Sequence, residues 1–323
     1  MKPPMTEMAG SDPSAAPRPP CPSCSSSKDI IRSGRRKGIQ QYLCKACKRS
    51  FIYKTLPNAS YPPRIILSAI STYNLGHTLE NTTKIINRRF KTRLPITTLH
   101  SWLNRYKHIC TFLPLRRKYS IDPEEIILSK RFHHQQVYEY KFHKLKLNIA
   151  GKQFPDLKDY LTSLLSGPRL GDNMFMEGTR CSDFPGRLNL PTPRLKKSAN
   201  NNATKMARFG LELARTNHER HQAIEDFFLI NDFATIASEV PVFLTPKEAK
   251  SFNISIPRTL TGHIDMIQVR NNKIHILDYK PDREGNVVNQ LLLYAKCLKK
   301  RTGISNIVCA YFDENEYFQF ISI

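Results

Sequence analysis

The chain has 323 residues, a formal net charge of +23 and eight cysteines. That length holds two or three domains with cores of their own, and no run approaches the ~18 apolar residues of a membrane span. The Pro-, Ser- and Ala-rich start has no apolar stretch like that of a signal peptide, so a disordered leader over 1–18 and a cytoplasmic, nucleoid-associated protein are expected.

The first elements carry most of the positive charge. Residues 1–118 hold 22 Lys/Arg against 4 Asp/Glu, and the remainder 28 against 23. A cationic first third suits a polyanion, because neutralising phosphates releases condensed counterions. Within it stand Cys21-x2-Cys24 and Cys44-x2-Cys47, nineteen residues apart. That is the two-knuckle spacing of a four-thiolate site, for which Zn²⁺ is the favoured metal and iron the competitor. Two disulfides suit a chain without a secretion signal poorly. Between the knuckles two short strands joined by a basic turn are expected, with Arg35, Arg36 and Lys37 as nucleic-acid contacts. The stretch from Cys21 to Phe51 resembles the N-terminal zinc ribbons of insertion-sequence transposases, sharing Gly34, Gln40, Tyr42 and Phe51 with the cysteines. A ribbon over 19–56 follows.

Residues 60–108 are predicted as three helices. Ile65, Ile66, Ala69, Ile70 and Tyr73 give the first its apolar spacing, and Gly76 ends it. Leu79, Thr83, Ile86 and Phe90 carry the second, and Pro95 separates it from a third with Leu99, Trp102, Leu103 and Tyr106 on one face. The opposite face shows Thr98, Ser101, Asn104 and Arg105, residue types suited to base edges and phosphates. The layout is that of a helix-turn-helix, whose last helix enters the major groove. An ordinary three-helix bundle has the same periodicity. The segment also resembles the region that follows the ribbon in those transposases, but their carboxylate triad is not found here.

Residues 109–200 are expected to be a helical and loop connecting region, with RRK at 116–118 as a linker edge, HHQQVYEYKFHKLKLN as one or two helices with solvated basic faces, and a long loop from Gly171 to Pro193. His133, His134 and His143 lack a metal-ligand spacing; Cys110, Cys181, Cys297 and Cys309 are expected as free, mostly buried thiols.

From 201 onward the expected order is one helix over 203–228, strands at 235–244, 260–269 and 273–280, a helix at 287–300 and a strand at 305–312. Three strands in a meander followed by a helical crossover give an αβββαβ core. Alternation puts Asp278 and Lys280 on one face, and likewise His263 and Asp265; Gln290 and Tyr294 share a helix face. A turn at Asn272 brings Asp265 near Asp278, and two adjacent carboxylates call for a cation, with Mg²⁺ or Mn²⁺ preferred by oxygen ligands. Lys280 would orient an attacking water and steady charge on phosphoryl oxygens.

The ordered set resembles the PD-(D/E)XK nuclease superfamily, most closely its RecB-like branch. There a helix with G-x-x-x-H precedes G-x-x-D, D-x-K and Q-x-x-x-Y. The resemblance implies a restriction-endonuclease-like core, metal ligation by His221, Asp265, Asp278 and the main-chain carbonyl of Tyr279, and in-line hydrolysis leaving a 5′-phosphate. Gln290 and Tyr294 would bind substrate and support the site. Asn217 replaces the usual glycine. His218 and His263 are expected to be structural or solvent-facing, and Glu239 solvated. The whole is expected to be multidomain: zinc ribbon, helix-turn-helix, connecting region, and nuclease domain over 201–323. Its function would be a DNA nuclease with its own addressing module, RNA staying open as substrate. The alternatives are a non-catalytic DNA-binding regulator and a partner-dependent transposition or recombination protein.

Overall fold

The computed structural model describes residues 19, 21, 23–24, 26, 29–36, 39–52, 56, 59–134, 136–166, 177–184, 193–199, 201–216, 218–281 and 286–322. The expected leader, Lys37, Asn217 and most of the expected loop at 171–193 lie outside them. Among the described residues no helix is long and apolar enough to cross a membrane. Contacts divide the chain into Met1–Lys54 and Thr55–Ile323.

The first unit is an antiparallel sheet of β1 (Ile30–Arg36), β2 (Ile39–Cys44) and β3 (Ser50–Ile52). Gly34, at φ +107°, sits where the β1–β2 register shifts, a conformation glycine adopts without strain. Gln40 Nε2 donates to the Gly34 carbonyl at 2.8 Å, which ties the two sides of this bulge. The third strand pairs Phe51 with Tyr42, and their rings stack at 5.7 Å. The buried interior consists of Cys21, Ile30 and Cys44.

The second unit opens with α1 (Pro63–Asn74), α2 (Leu79–Phe90), α3 (Ile96–Tyr106) and the short α4 (Leu113–Arg116). There follow β4 (Ile127–His134), β5 (Gln136–His143), α5 (Lys144–Ala150), α6 (Pro155–Ser166), β6 (Thr179–Arg180) and β7 (Lys196–Ala199). Then come α7 (Asn202–Leu213), α8 (Arg220–Asn231), β8 (Thr235–Leu244), α9 (Pro246–Lys250), β9 (Leu260–Arg270) and β10 (Lys273–Tyr279). The chain finishes with α10 (Val287–Thr302), β11 (Val308–Phe312) and β12 (Glu316–Ile321). One sheet runs in the order β4-β5-β8-β9-β10-β11-β12-β7, with β6 beside β9.

The meander and crossover take the expected form: β8, β9 and β10 are antiparallel neighbours, and α10 returns the chain to β11 parallel to β10. Asn271 and Asn272, at φ 48° and 56°, make the two-residue turn that pairs Arg270 with Lys273. Both faces of the sheet are covered. Ile274 and Ile276 pack with α5, α6 and α10, while Leu277 and Tyr279 pack with α1, α3, α7 and α8. This alternation makes the core a mixed α/β sandwich.

Three expectations need correction. The segment 136–143 is a strand, not a helix, because Tyr140 and Phe142 alternate with Glu139 and Lys141 and only the former are buried. With β4 it extends the sheet, so the described strands and helices of 109–166 belong to the core. The helix expected over 203–228 is two: Thr216 Oγ1 accepts from the Glu219 N–H, and the Glu219 carboxylate from the Arg215 N–H, which orders the turn between them.

The third concerns domain boundaries. The three helices of 60–108 share one apolar cluster with α7 and α8, so no boundary falls at 108 or 200. Polar groups reinforce the join. Asn231, fully buried on α8, accepts from Asn74 at 2.8 Å and donates to Ser71 Oγ at 2.9 Å and to the Phe227 carbonyl at 3.0 Å. Buried amides are fixed by such partners, since an unmade bond there costs about 1–3 kcal/mol.

Candidate active site

Strand register assembles the acidic groups. The β9–β10 pairing runs as far as Leu277 and Met266, so Asp278 and Asp265 are the next residues on the two strands. On the other side of β9, Ser238 pairs with Met266 and Val240 with Ile264, which puts Glu239 beside Asp265. Three neighbouring strands thus carry three adjacent carboxylates. Like charges directly opposite in a sheet are destabilising.

Helix α8 closes the site from one side. His221 Nε2 lies 2.7 Å from Asp265 Oδ2 and 3.8 Å from Glu225 Oε1, one turn on. Ligand atoms of His221, Glu225 and Asp265 all lie within 4.8 Å of one another. The Tyr279 N–H donates to Asp265 Oδ2 at 2.9 Å, and the Tyr279 hydroxyl to Glu314 at 2.7 Å. Lys280 Nζ sits 3.1 Å from Asp278 Oδ2. From α10, Gln290 Nε2 donates to the Tyr294 hydroxyl at 2.8 Å. The structure therefore brings His221, Asp265, Asp278, Lys280, Gln290 and Tyr294 to one region, with Tyr279 contributing its N–H.

Burial sets the protonation of these groups. It pushes the Asp278 carboxyl up to about 7, with the Asp265 charge adding to it against the pull of Lys280. It pushes Glu239 up to about 8, again with Asp265 adding, and holds Glu225 well above the usual carboxylate range. For Asp265 burial acts upward too, but His221, Lys280 and the Tyr279 N–H outweigh it and hold that carboxyl low. His221 and Lys280 are raised: the carboxylates beside them overcome the opposing effect of burial.

A stability prediction follows with its sign. Asp278 takes up protons more readily when folded (about 7) than when unfolded (~3.9), so without metal it destabilises the fold progressively as pH rises between those values. Asp278→Asn is expected to raise metal-free stability at pH 8 by roughly 1–4 kcal/mol, the gain vanishing by pH 4. Denaturant midpoints across pH check it, and an equal gain at both ends would refute the burial argument.

Lys141, Arg180 and Glu225 escaped the sequence reading, and Glu239 was expected there only as a solvated strand-end residue. All four line, with His221, Asp265, Lys280, Gln290 and Tyr294, a cleft of about 410 Å³, and Asp278 lies behind Lys280 outside its lining. Glu239 is not solvated as expected. It adopts φ +50° inside a strand, a left-handed conformation rare for glutamate and worth about 1–3 kcal/mol of strain, which marks functional sites. Glu225 had a legible signal, since it lies on the same helix face as His221. Lys141 pairs with Asp226 at 2.8 Å and Glu139 at 3.0 Å. Arg180 Nη2 donates to the Tyr138 hydroxyl at 2.7 Å, and the Tyr138 ring packs on His263 at 3.9 Å. His263 is buried, whereas His218 is exposed at the rim.

Gly262 explains itself by contact. A Cβ there would stand 2.4 Å from Tyr294 Cε1, so only glycine lets the ring close over β9. Gly262→Ala is expected to displace Tyr294 and lower stability by about 1–3 kcal/mol. A denaturant midpoint unchanged from wild type would mean the ring yields freely.

The donor set fits a divalent cation. Asp278 is 1% exposed and, apart from Lys280, its oxygens have no partner among the described residues. Oxygen donors with one imidazole suit Mg²⁺ or Mn²⁺. Asp278 stands outside the mutually close set of His221, Glu225 and Asp265.

The four cysteines form the second metal-ligand group. Sγ of Cys21 and Cys47, and of Cys24 and Cys44, lie 3.5 Å apart, and all four fall within 4.8 Å of one another. All eight cysteines are free, and Cys110, Cys181, Cys297 and Cys309 are buried.

On α3, Leu99, Trp102, Leu103 and Tyr106 are buried, Ser101 and Arg105 are exposed, and Thr98 and Asn104 are half-buried. Arg117 donates to Asn104 Oδ1 at 3.0 Å. Asn87 brackets the turn before α3, accepting from the Leu94 N–H at 2.6 Å and donating to its carbonyl at 3.3 Å. Arg35 and Arg36 lie at the end of β1.

Compared with protein-family models, with curated proteins and with solved structures, the chain matches none.

Proposed function

We propose that the chain is a metal-dependent nuclease of the PD-(D/E)XK type, directed to duplex DNA by a zinc ribbon and a helix-turn-helix. The observation that carries the reading is the row of carboxylates Glu239, Asp265 and Asp278 across three adjacent strands, with the Lys280 ammonium 3.1 Å from the last. Buried like charges at that density are costly without a cation, and a lysine beside them is what phosphodiester hydrolysis needs.

Asp265, Asp278 and His221 would hold Mg²⁺ or Mn²⁺, which when bound lowers the pKa of water and offsets charge on the phosphoryl group. The chain's own groups do the rest. Lys280, anchored by Asp278, donates to the attacking water or to phosphoryl oxygens as their charge grows. Arg180, from the short β6, offers a planar guanidinium to a neighbouring phosphate, a geometry suited to paired oxygens. Tyr294, held by Gln290 over Gly262, forms one wall and limits water access.

For addressing, the polar face of α3 supports groove contact, since Ser101 and Arg105 are exposed while the apolar face is spent on the core. The four-thiolate cluster supports a zinc ribbon. The test is incubation of zinc-loaded protein with Mg²⁺ or Mn²⁺ and closed circular duplex, linear duplex, single-stranded DNA or RNA. Metal-dependent cuts bearing 5′-phosphates are expected. Tight duplex binding with no cleavage of any substrate would leave the DNA-binding regulator standing.

A further inference from the structure

Within the larger unit, α3 and the helix that carries His221 are joined by a path of packed rings. Tyr106, at the end of α3, meets Phe209 of α7 edge-to-face at 6.2 Å, and Phe209 meets Phe227 of α8 at 6.0 Å. The next residue, Phe228, packs on Phe312 of β11 at 5.6 Å. Phe312 then packs on Tyr279 at 5.7 Å, and Tyr279 on His221 at 5.3 Å. Phe227, Phe228, Phe312 and Tyr279 are all fully buried. Polar bonds close the same seam. Arg64 Nη2 donates to the Leu213 carbonyl at 3.4 Å, Asn202 Nδ2 to the Ile109 carbonyl at 3.3 Å, and the Phe112 N–H to the Asn231 carbonyl at 3.0 Å. No slack chain follows α3, since Ile109, Cys110, Phe112 and Leu113 are buried directly after it.

We infer that α3 and the cleft belong to one rigid body, so that each cut falls at a fixed distance from the bases that α3 reads. Close-packed interiors are hard to deform, and an apolar joint of this kind leaves no hinge between reader and cutter. A tethered cutter behaves otherwise. About 16 flexible residues would spread it over roughly 20–24 Å, or about six or seven base pairs. The ring path also bounds the offset. Its steps of 5.3–6.2 Å keep the cleft within roughly one and a half helical turns of those bases, about 15 base pairs. Such a protein cuts inside duplex DNA at a defined position, instead of digesting progressively from an end.

The offset rests on the nuclease reading, whereas the joint is tested without cutting. Hydrogen exchange of the zinc-loaded full-length protein is followed at the amides of α1, α3, α7 and α8. All four helices are expected to share one opening free energy and one denaturant dependence. Opening of α1 and α3 as a separate, less stable unit would overturn the proposal. Closed circular DNA bearing a random insert is then digested with Mg²⁺ or Mn²⁺, and the cut ends are sequenced. A shared motif at a constant distance from the cut is expected, with scatter near one base pair, about 3.4 Å. Cuts with no shared motif, or with the motif displaced by several base pairs from cut to cut, would refute a fixed offset. So would a motif unchanged in the combined variant Thr98→Ala, Ser101→Ala and Arg105→Ala, since α3 would then not be the reader. One shared opening with no cleavage of any DNA would keep the rigid joint and sink the nuclease reading.

Discussion

Asp278→Asn is expected to remove phosphodiester cleavage below detection while leaving the fold and duplex binding in place. The side chain is 1% exposed, and the Lys280 ammonium stands 3.1 Å from its Oδ2. Replacing carboxylate by amide keeps the volume and removes the charge that holds Lys280 and a cation together. Lys280→Met tests the other half. Its loss is expected to lower kcat by about 10²–10³, the size found when one preorganised donor to a developing anion is removed, with little change in KM. Asp278→Asn should also be the more stable protein at pH 8 without metal, for the titration reason given above. Stability gained together with activity lost is the pattern of a site under electrostatic strain. Undiminished cleavage by Asp278→Asn would sink the assignment, and lost cleavage together with a lost fold would demand Lys280→Met as arbiter.

Removal of the ribbon metal is expected to unfold the first unit and leave the second intact. Its buried interior is Cys21, Ile30 and Cys44, with Tyr42, Cys47 and Phe51 partly covered against them. So small a cluster cannot offset the entropy of ordering the strands, and structural zinc supplies about 10–16 kcal/mol of apparent binding energy in comparable small domains. One Zn²⁺ per chain should be released by a strong chelator, or be absent in Cys24→Ser. The amide signals of Ile30–Ile52 should then collapse to random-coil positions. Those of the larger unit should stay, because its cores are built from other residues. Duplex affinity should fall if the ribbon contributes to addressing. Retained β-sheet signals in the metal-free protein would refute metal-dependent folding of this unit.

Much of this was readable from local pattern. The paired knuckles at 21–24 and 44–47 and the spans of β8, β9, β10 and α10 follow from spacing and period alone, because those signals lie within a few residues of each other. The turn at Asn271 and Asn272 followed as well, and with it the pairing of β9 with β10 that brings Asp265 near Asp278. His221, Gln290 and Tyr294 came with the same ordered set.

Other features had no local signature. Strand β5 read as a basic helix because Glu139 and Lys141 fill one face of the β4–β5 hairpin, with Arg131 opposite Glu139. Its apolar face gains meaning only where Lys141 pairs with Ser238, a partner far along the chain. Helices α1 to α3 read as a separate helix-turn-helix domain, because periodicity reports that a face is buried and not against what. Here it is buried against α7 and α8, with Asn74 and Ser71 meeting Asn231.

The same distinction runs through the site. A charged residue at the right spacing was enough to propose Asp278 and Lys280. Glu239 needed the register of β8 on β9 and a backbone angle no composition reveals, and Glu225 needed the distance from α8 to β9. Sequence by itself determined which residues carry the chemistry on each element. Tertiary structure alone decided which carboxylates share one buried space, since desolvation and like-charge repulsion act through space between strands and helices that are remote in the chain.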